Sequence, residues 1–243
     1  PICFFACPLR LNECRMASVT TNSRTVRFAD SLPGASLTEV QEYEVPHIPE
    51  TTPRGFVECC DALLDSMEAG EPATKRNALA HVEGRVLTLA SSRHGSQVVR
   101  RALQIAQRGE EQETLVRELH GHVLELAVTS VGSQVLQWCL QLLPPSSAHF
   151  IFAEIDDNAR SMANHDFGHL VLCRIIENMP RVEIEALAST LLSVSNGVSE
   201  LWQNSNGQTV VKSLLHYGPP SAQECVRRCL FEHNNLEGLS SAP

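Results

Sequence analysis

Between Gly84 and Leu143 one pattern is written twice. Val86, Leu87, Leu89, Ala90, Gly95, Ser96, Gln97, Val98, Leu103 and Gln104 recur 37 residues on as Val123, Leu124, Leu126, Ala127, Gly132, Ser133, Gln134, Val135, Leu140 and Gln141. Self-similarity at a fixed period of 20–50 residues marks stacked structural repeats. One such unit cannot bury its own apolar face, so neighbours must stack to make a core. A solenoid is therefore the expected architecture.

The marker glycine continues beyond the two clear copies. Gly95, Gly132, Gly168 and Gly207 are separated by 37, 36 and 39 residues. Each follows a short apolar segment and opens a longer amphipathic helix, with apolar residues at three- and four-residue spacing. A break at Gly109, Pro144-Pro145, Pro180 or Gly218-Pro219-Pro220 then leads into a third helix. Proline is well tolerated at a helix start, so these prolines begin helices rather than spoil them. Four three-helix units follow, at 84–120, 121–156, 157–195 and 196–234. Ahead of them, Phe56, Val57, Cys60, Leu63, Leu64 and Met67 form an apolar helical stripe that Gly70 and Pro72 end. With the helix of 73–82 it makes a half unit at 55–83, the degenerate cap that terminal repeats usually are. Residues 235–243 are expected to fray.

The chain begins Pro1-Ile-Cys, and Met16-Ala-Ser has the form of a translation start, which sets residues 1–15 apart. Residues 16–54 are rich in Ser, Thr, Pro and Glu with little apolar periodicity. Residues 1–54 are thus expected to be a disordered N-terminal tail. Within it, Arg24-Thr-Val-Arg-Phe28 resembles the basic-x-Val-x-Phe docking peptide of protein phosphatase 1 partners. Such a peptide adds an edge strand and buries Val26 and Phe28 in two pockets. Five-residue strings of this kind also arise by chance.

Composition narrows the function classes. At 43% hydrophobic residues over 243 positions a core is within reach. No run of 18 apolar residues is present, and no membrane partner is expected. The formal charge of −9 weighs against non-specific polyanion binding, which scales with the cations presented to phosphates. It is unevenly spread: residues 84–236 hold 12 Lys+Arg and 15 Asp+Glu, near −3. Nine cysteines in no regular spacing do not read as a secreted disulfide framework. Cys139, Cys173, Cys225 and Cys229 fall in apolar helical patterns as small hydrophobes, and a reducing, cytoplasmic setting is expected, with nuclear or nucleolar placement compatible.

The string Leu-Ala-x-x-x-x-Gly-Ser-Gln-Val-Val/Leu-Arg/Gln resembles the core of a Pumilio (PUF) RNA-binding repeat. The resemblance implies an all-α, right-handed α-solenoid whose second helices face single-stranded RNA, one base per repeat. It further implies two base-edge readers and an intervening stacking residue in each unit. Carried onto this chain, these are Ser96 and Arg100 with Gln97 between them, and Ser133 and Gln137 with Gln134. In the third unit they are His169 and Cys173 with Leu170, and in the fourth Gln208 and Lys212 with Thr209. By resemblance Ser with Gln is an adenine-type pair and Ser with Arg a cytosine-type pair. The third and fourth sets match no familiar base-reading pair, and none of the four stacking places is aromatic or Arg. A flat side chain there contributes roughly 1–3 kcal/mol per base, so modest affinity is expected, carried mostly by the first two repeats.

The family's implied work is post-transcriptional regulation of mRNA by a monomer acting through recruited partners. The alternatives are a protein-interaction scaffold on the same solenoid, or an rRNA-processing factor without base readout. A positive face with Arg93, Arg100, Arg101 and Lys212 near the readers speaks for RNA, and an apolar patch there for a protein ligand. Enzymatic readings find little. His120-x-His122 and the group His94, His165 and His169 lack the partners of a metal site, and no cofactor is expected. No phosphate-binding loop, dinucleotide glycine string or Ser-His-Asp arrangement in a strand–turn–helix context is present.

Overall fold

The computed structural model describes residues 24–28, 41–45, 54–107, 109–193 and 197–240, with side chains over 55–107, 109–193 and 197–231. Its fourteen described α-helices follow one another as a leading pair and four groups of three. The cap is α1 (Arg54–Glu68) and α2 (Pro72–Val82). The first repeat is α3 (Val86–Ala90), α4 (Arg93–Ile105) and α5 (Glu110–Arg117). The second is α6 (Val123–Ala127), α7 (Ser130–Leu142) and α8 (Pro145–Ile155). A single 3-10 turn, Asp156–Asn158, leads into α9 (Ala159–Asn164), α10 (Gly168–Asn178) and α11 (Arg181–Leu192). The fourth is α12 (Gly197–Trp202), α13 (Ser205–Tyr217) and α14 (Pro220–Ser240).

The long second helices make one layer, α1–α4–α7–α10–α13, in which each packs on the next. Their buried stripes form one continuous core with the short and third helices. On α4 the buried residues are Gly95, Ser96, Val98, Val99, Ala102 and Leu103, and on α7 their counterparts 37 residues on. Cys139 is fully buried in that stripe, where burial pushes its thiol up to about 12. Cys225 and Cys229 are half-buried on the closing helix.

The marker glycines are where a long helix crosses the short helix before it. A Cβ on Gly95 would stand 2.5 Å from the Leu89 carbonyl oxygen, and one on Gly132 the same distance from that of Leu126. Three residues ahead of each marker sits the group that caps the long helix. Ser92 Oγ accepts from the Gly95 N–H and Thr129 Oγ1 from that of Gly132. His165 Nδ1 accepts from Phe167 and Gly168, and Asn204 Oδ1 from Asn206. Each satisfies N–H groups that a helix leaves unpaired at its start.

A second device ties the entry turn of a repeat to its own last helix. Glu118 accepts from the backbone N–H groups of Gly84 at 2.6 Å and Val86 at 2.9 Å, and Glu154 from those of Gly121 at 2.7 Å and Val123 at 3.1 Å. Gly84 and Gly121 have φ of 75° and 78°, the left-handed turn that glycine adopts freely. At the entry of the third repeat Thr190 Oγ1 donates to Asp156 instead.

Regular structure is also described within two stretches expected to be irregular. Within the stretch read as a disordered tail, β1 (Arg24–Phe28) and β2 (Gln41–Val45) pair antiparallel, Val26 opposite Tyr43. Both segments alternate β-favouring with polar residues, which suits a strand, although an isolated two-stranded ribbon is marginal in water. The rest of 1–53, including the candidate start at Met16, lies outside the described residues. The C-terminal helix runs on through Ser240 where fraying was expected from 235, since no proline follows Pro220 until Pro243. No described helix is long and apolar enough to cross a membrane.

Candidate nucleic-acid interface

The outward faces of α4, α7, α10 and α13 lie side by side because the helices stack at matching positions. On α4 this face presents Arg93, His94, Gln97, Arg100 and Gln104, all exposed, with Arg101 half-buried. On α7 it presents Gln134 and Gln141, exposed, with Gln137 and Trp138 half-buried. Arg100 sits over the Trp138 ring, its Cζ 5.2 Å from the ring centroid, and so bridges the two repeats.

Ser96 and Ser133 are placed otherwise than expected. Each is only 1% exposed, and their hydroxyls donate to Arg93 O at 2.8 Å and Ser130 O at 3.1 Å. Coming directly after the close-approach glycine, each falls within the buried stripe of its helix rather than on the outward face. A small side chain fits there, and the bond within the helix satisfies its hydroxyl. The outward residues are the ones that follow, Gln97 and Arg100 on α4 and Gln134 and Gln137 on α7.

The later repeats diverge further. His169 is half-buried and its Nδ1 lies 2.8 Å from the His165 carbonyl, one turn back. Leu170 stands 37% exposed at the expected stacking place. Cys173 is 8% exposed, and burial raises its thiol pKa, opposed by a hydrogen bond with Ser213. Gln208 is half-buried and donates to Trp202 O at 2.8 Å. Thr209 and Lys212 are exposed on α13. The ten expected residues thus share one layer, but Ser96, Ser133 and Cys173 are inside it.

Charge along this face is graded. The buried stripe of α1 matches that of α4 at an offset of 39 residues, which puts Glu58, Asp61 and Asp65 where α4 has Gln97, Arg100 and Gln104. Its outward face is therefore acidic, α4 is basic, and α7 presents no charge. On α10, Arg174 is paired with Glu177. Phosphate would be drawn to α4 and repelled by α1. Trp138 was missed as a contact because its place, four residues after Gln134, is not one where the resemblance puts a reader. Its one-turn spacing from an exposed Gln was the available signal.

The described histidines have other partners. His120 stacks on Phe150 with centroids 4.1 Å apart, and His122 Nδ1 lies 3.1 Å from Glu125. Among the described residues no group of three or more His, Cys, Asp or Glu side chains comes together to hold an ion. A depression of about 180 Å³ lies away from this face, between α2 and α5, lined by Arg76, Leu79, Glu83 and Glu111 among others.

A family model described as the Pumilio-family RNA binding repeat matches residues 85–120 and 122–155. Among solved structures, PUF-8 in complex with PBE-RNA is 20% identical with a TM-score of 0.67, over 75% of this chain and 55% of that one. The Puf4 RNA binding domain bound to the HO endonuclease RNA 3' UTR recognition sequence is 21% identical with a TM-score of 0.61, over 69% and 53%. The RNA-binding domain of yeast Puf5p bound to AAT2 RNA is 14% identical with a TM-score of 0.62, over 71% and 50%. This likeness gives the fold, the right-handed α-solenoid expected, and the chain spans little more than half the length of the structures it matches. Among the curated proteins none matches the sequence.

Proposed function

Because residues 85–120 and 122–155 match the Pumilio-family RNA binding repeat, we propose that this chain binds single-stranded RNA along the outward faces of α4 and α7 and acts on the fate of a message. The observation that carries the reading is the row Gln97, Arg100, Gln134 and Gln137, which faces outward across one packed seam. Glutamine amides both donate and accept at a base edge, and Arg100 adds a cation for a carbonyl edge or a phosphate. Ser96 and Ser133 contribute by letting the helices approach. His169, Gln208 and Lys212 line the continuation of the track, where less discrimination is expected. The Puf4 and Puf3 domains among the similar structures hold 3' UTR recognition sequences, which favours messages over ribosomal RNA as the target class.

A protein ligand on the same face finds less support. Among the described residues the exposed large apolar side chains, Leu170, Val182, Tyr217 and Phe231, lie on four different helices. Action through partners fits the string at Arg24, Val26 and Phe28, which lies on β1 of a two-stranded sheet whose second strand covers one edge. The other edge is the one a phosphatase-type partner would extend. A cytoplasmic monomer is the setting this reading implies.

Titration of a fluorescein-labelled random-sequence single-stranded RNA at low salt tests the reading. Changing Gln97, Arg100, Gln134 and Gln137 together to Ala is expected to weaken binding at least ten-fold with helical content unchanged. The salt dependence is expected to be shallow, since few phosphates are neutralised. Absence of binding by the unaltered chain, or an unaltered affinity in the fourfold variant, overturns it.

A further inference from the structure

We propose that Arg100, held from below by Trp138, forms a stacking platform for one nucleobase at the seam between the first and second repeats. The proposal rests on the RNA reading above but uses different helix positions from those expected to stack. Gln97 and Gln134 occupy those expected places and are not flat ring systems of the stacking kind. Besides the exposed His94, the face carries the ring of Trp138, one turn beyond Gln134.

Three observations support the platform. Trp138 is half-buried and packs against the core, so its ring is held in place. The Arg100 guanidinium lies over that ring at 5.2 Å while remaining exposed, and among the described residues it makes no ion pair with a carboxylate. The pairing also follows from the array. Arg100 comes five residues after its marker glycine and Trp138 six after the next one. The equivalent pair two repeats on, Cys173 and Ser213, is also close enough for the Ser213 hydroxyl to act on the Cys173 thiol. At these two seams the residue five after one glycine faces the residue six after the next.

The four side chains at the other two seams between full repeats show why this one is special. At the second the corresponding positions are Gln137 and Arg174, and Arg174 is committed to Glu177. Cys173 and Ser213 at the third offer neither charge nor plane. Only the first seam joins a planar cation to an aromatic ring. A separation of 5.2 Å leaves no room for a base between them, so the base lies on the outer face of the guanidinium, completing a column of ring, cation and base. Planar guanidinium groups stack on bases as aromatic rings do, and an ammonium has no plane to offer. Gln97 and Gln134, flanking this column, are placed to bond the edge of the stacked base.

The same random-sequence RNA, titrated against the full chain, separates a platform from a point charge. Arg100→Lys keeps the charge and leaves the core untouched. It is expected to weaken binding roughly five-fold or more, the low end of what one base stacked on a flat side chain contributes. Trp138→Ala is expected to do the same, and Trp138→Phe to restore most of that loss, with far-ultraviolet circular dichroism reporting that both variants are folded. Affinity unchanged in Arg100→Lys, or equal losses in Trp138→Phe and Trp138→Ala, overturns the platform. If those variants bind normally while Gln97→Ala with Gln134→Ala weakens binding, the platform falls and RNA binding stands. No binding by the unaltered chain overturns both.

Discussion

The first two repeats and the last two share a buried frame and differ on their outward faces. The stripe on α4 and α7 continues on α10 as Val171, Leu172, Ile175 and Ile176, and on α13 as Val210, Val211 and Leu214. The close-approach glycine persists at Gly168 and Gly207, and the capping position changes residue but keeps its role. Outside, the Gln and Arg row gives way to Leu170, a paired Arg174 and a lone Lys212. Packing constrains volume and polarity at each buried position, whereas an outward position is constrained only by what it touches. The family model matches residues 85–120 and 122–155, while the fold likeness extends over 75% of the chain.

If the frame is equally tight in both halves, removing a buried leucine should cost the same in each. Leu136→Ala on α7 and Leu172→Ala on α10, both 0% exposed, are each expected to destabilise the chain by about 2–5 kcal/mol in urea unfolding. A loss under about 1 kcal/mol for Leu172→Ala alone would show that the later repeats are loosely packed. These ties should be less alike. Glu118→Ala leaves two backbone N–H groups without their carboxylate and is expected to cost about 1–3 kcal/mol. Thr190→Ala removes a single neutral donor that also bonds its own helix at Ala186 O, and should cost under about 1 kcal/mol. Equal losses would mean that the carboxylate contributes nothing special to the earlier repeats.

The smallest expected difference depends on pH. Among the four capping residues, Ser92, Thr129 and Asn204 do not titrate, but His165 does. Burial lowers its pKa, His169 acting the same way and Asp166 opposing, and its Nδ1 accepts backbone N–H bonds only when unprotonated. The unfolded chain therefore takes up this proton first as pH falls. The stabilisation is complete above the ordinary imidazole value and is lost as pH drops through it toward the lowered folded value. Comparing unfolding midpoints at pH 7.5 and pH 5.5, His165→Asn should flatten the decline seen in the unaltered chain. An identical decline in both would assign the pH dependence elsewhere.

Much of this frame is legible in the sequence, because burial and closure leave periodic marks. Glycine spacing, three- and four-residue apolar stripes and prolines at helix starts lead to the observed helices, α2, α8 and α14 each opening on a proline. Contacts made at right angles to the chain are not legible in the same way. The spacing does set Ser96 three and seven residues before Val99 and Leu103, and Ser133 likewise before Leu136 and Leu140, on the buried stripe. It does not bring Arg100 over Trp138, which depends on how far one helix turns against its neighbour. The staple from Glu118 back to Gly84 spans 34 residues and leaves no local pattern at all.

The central claim is that the outward faces of α4 and α7 are where RNA lies. Cross-linking of bound RNA carrying 4-thiouridine, followed by peptide mapping by mass spectrometry, tests it most directly. Adducts confined to residues 93–104 and 130–141 are the predicted result. Adducts on α5 and α8, with those two segments unmodified, would contradict it.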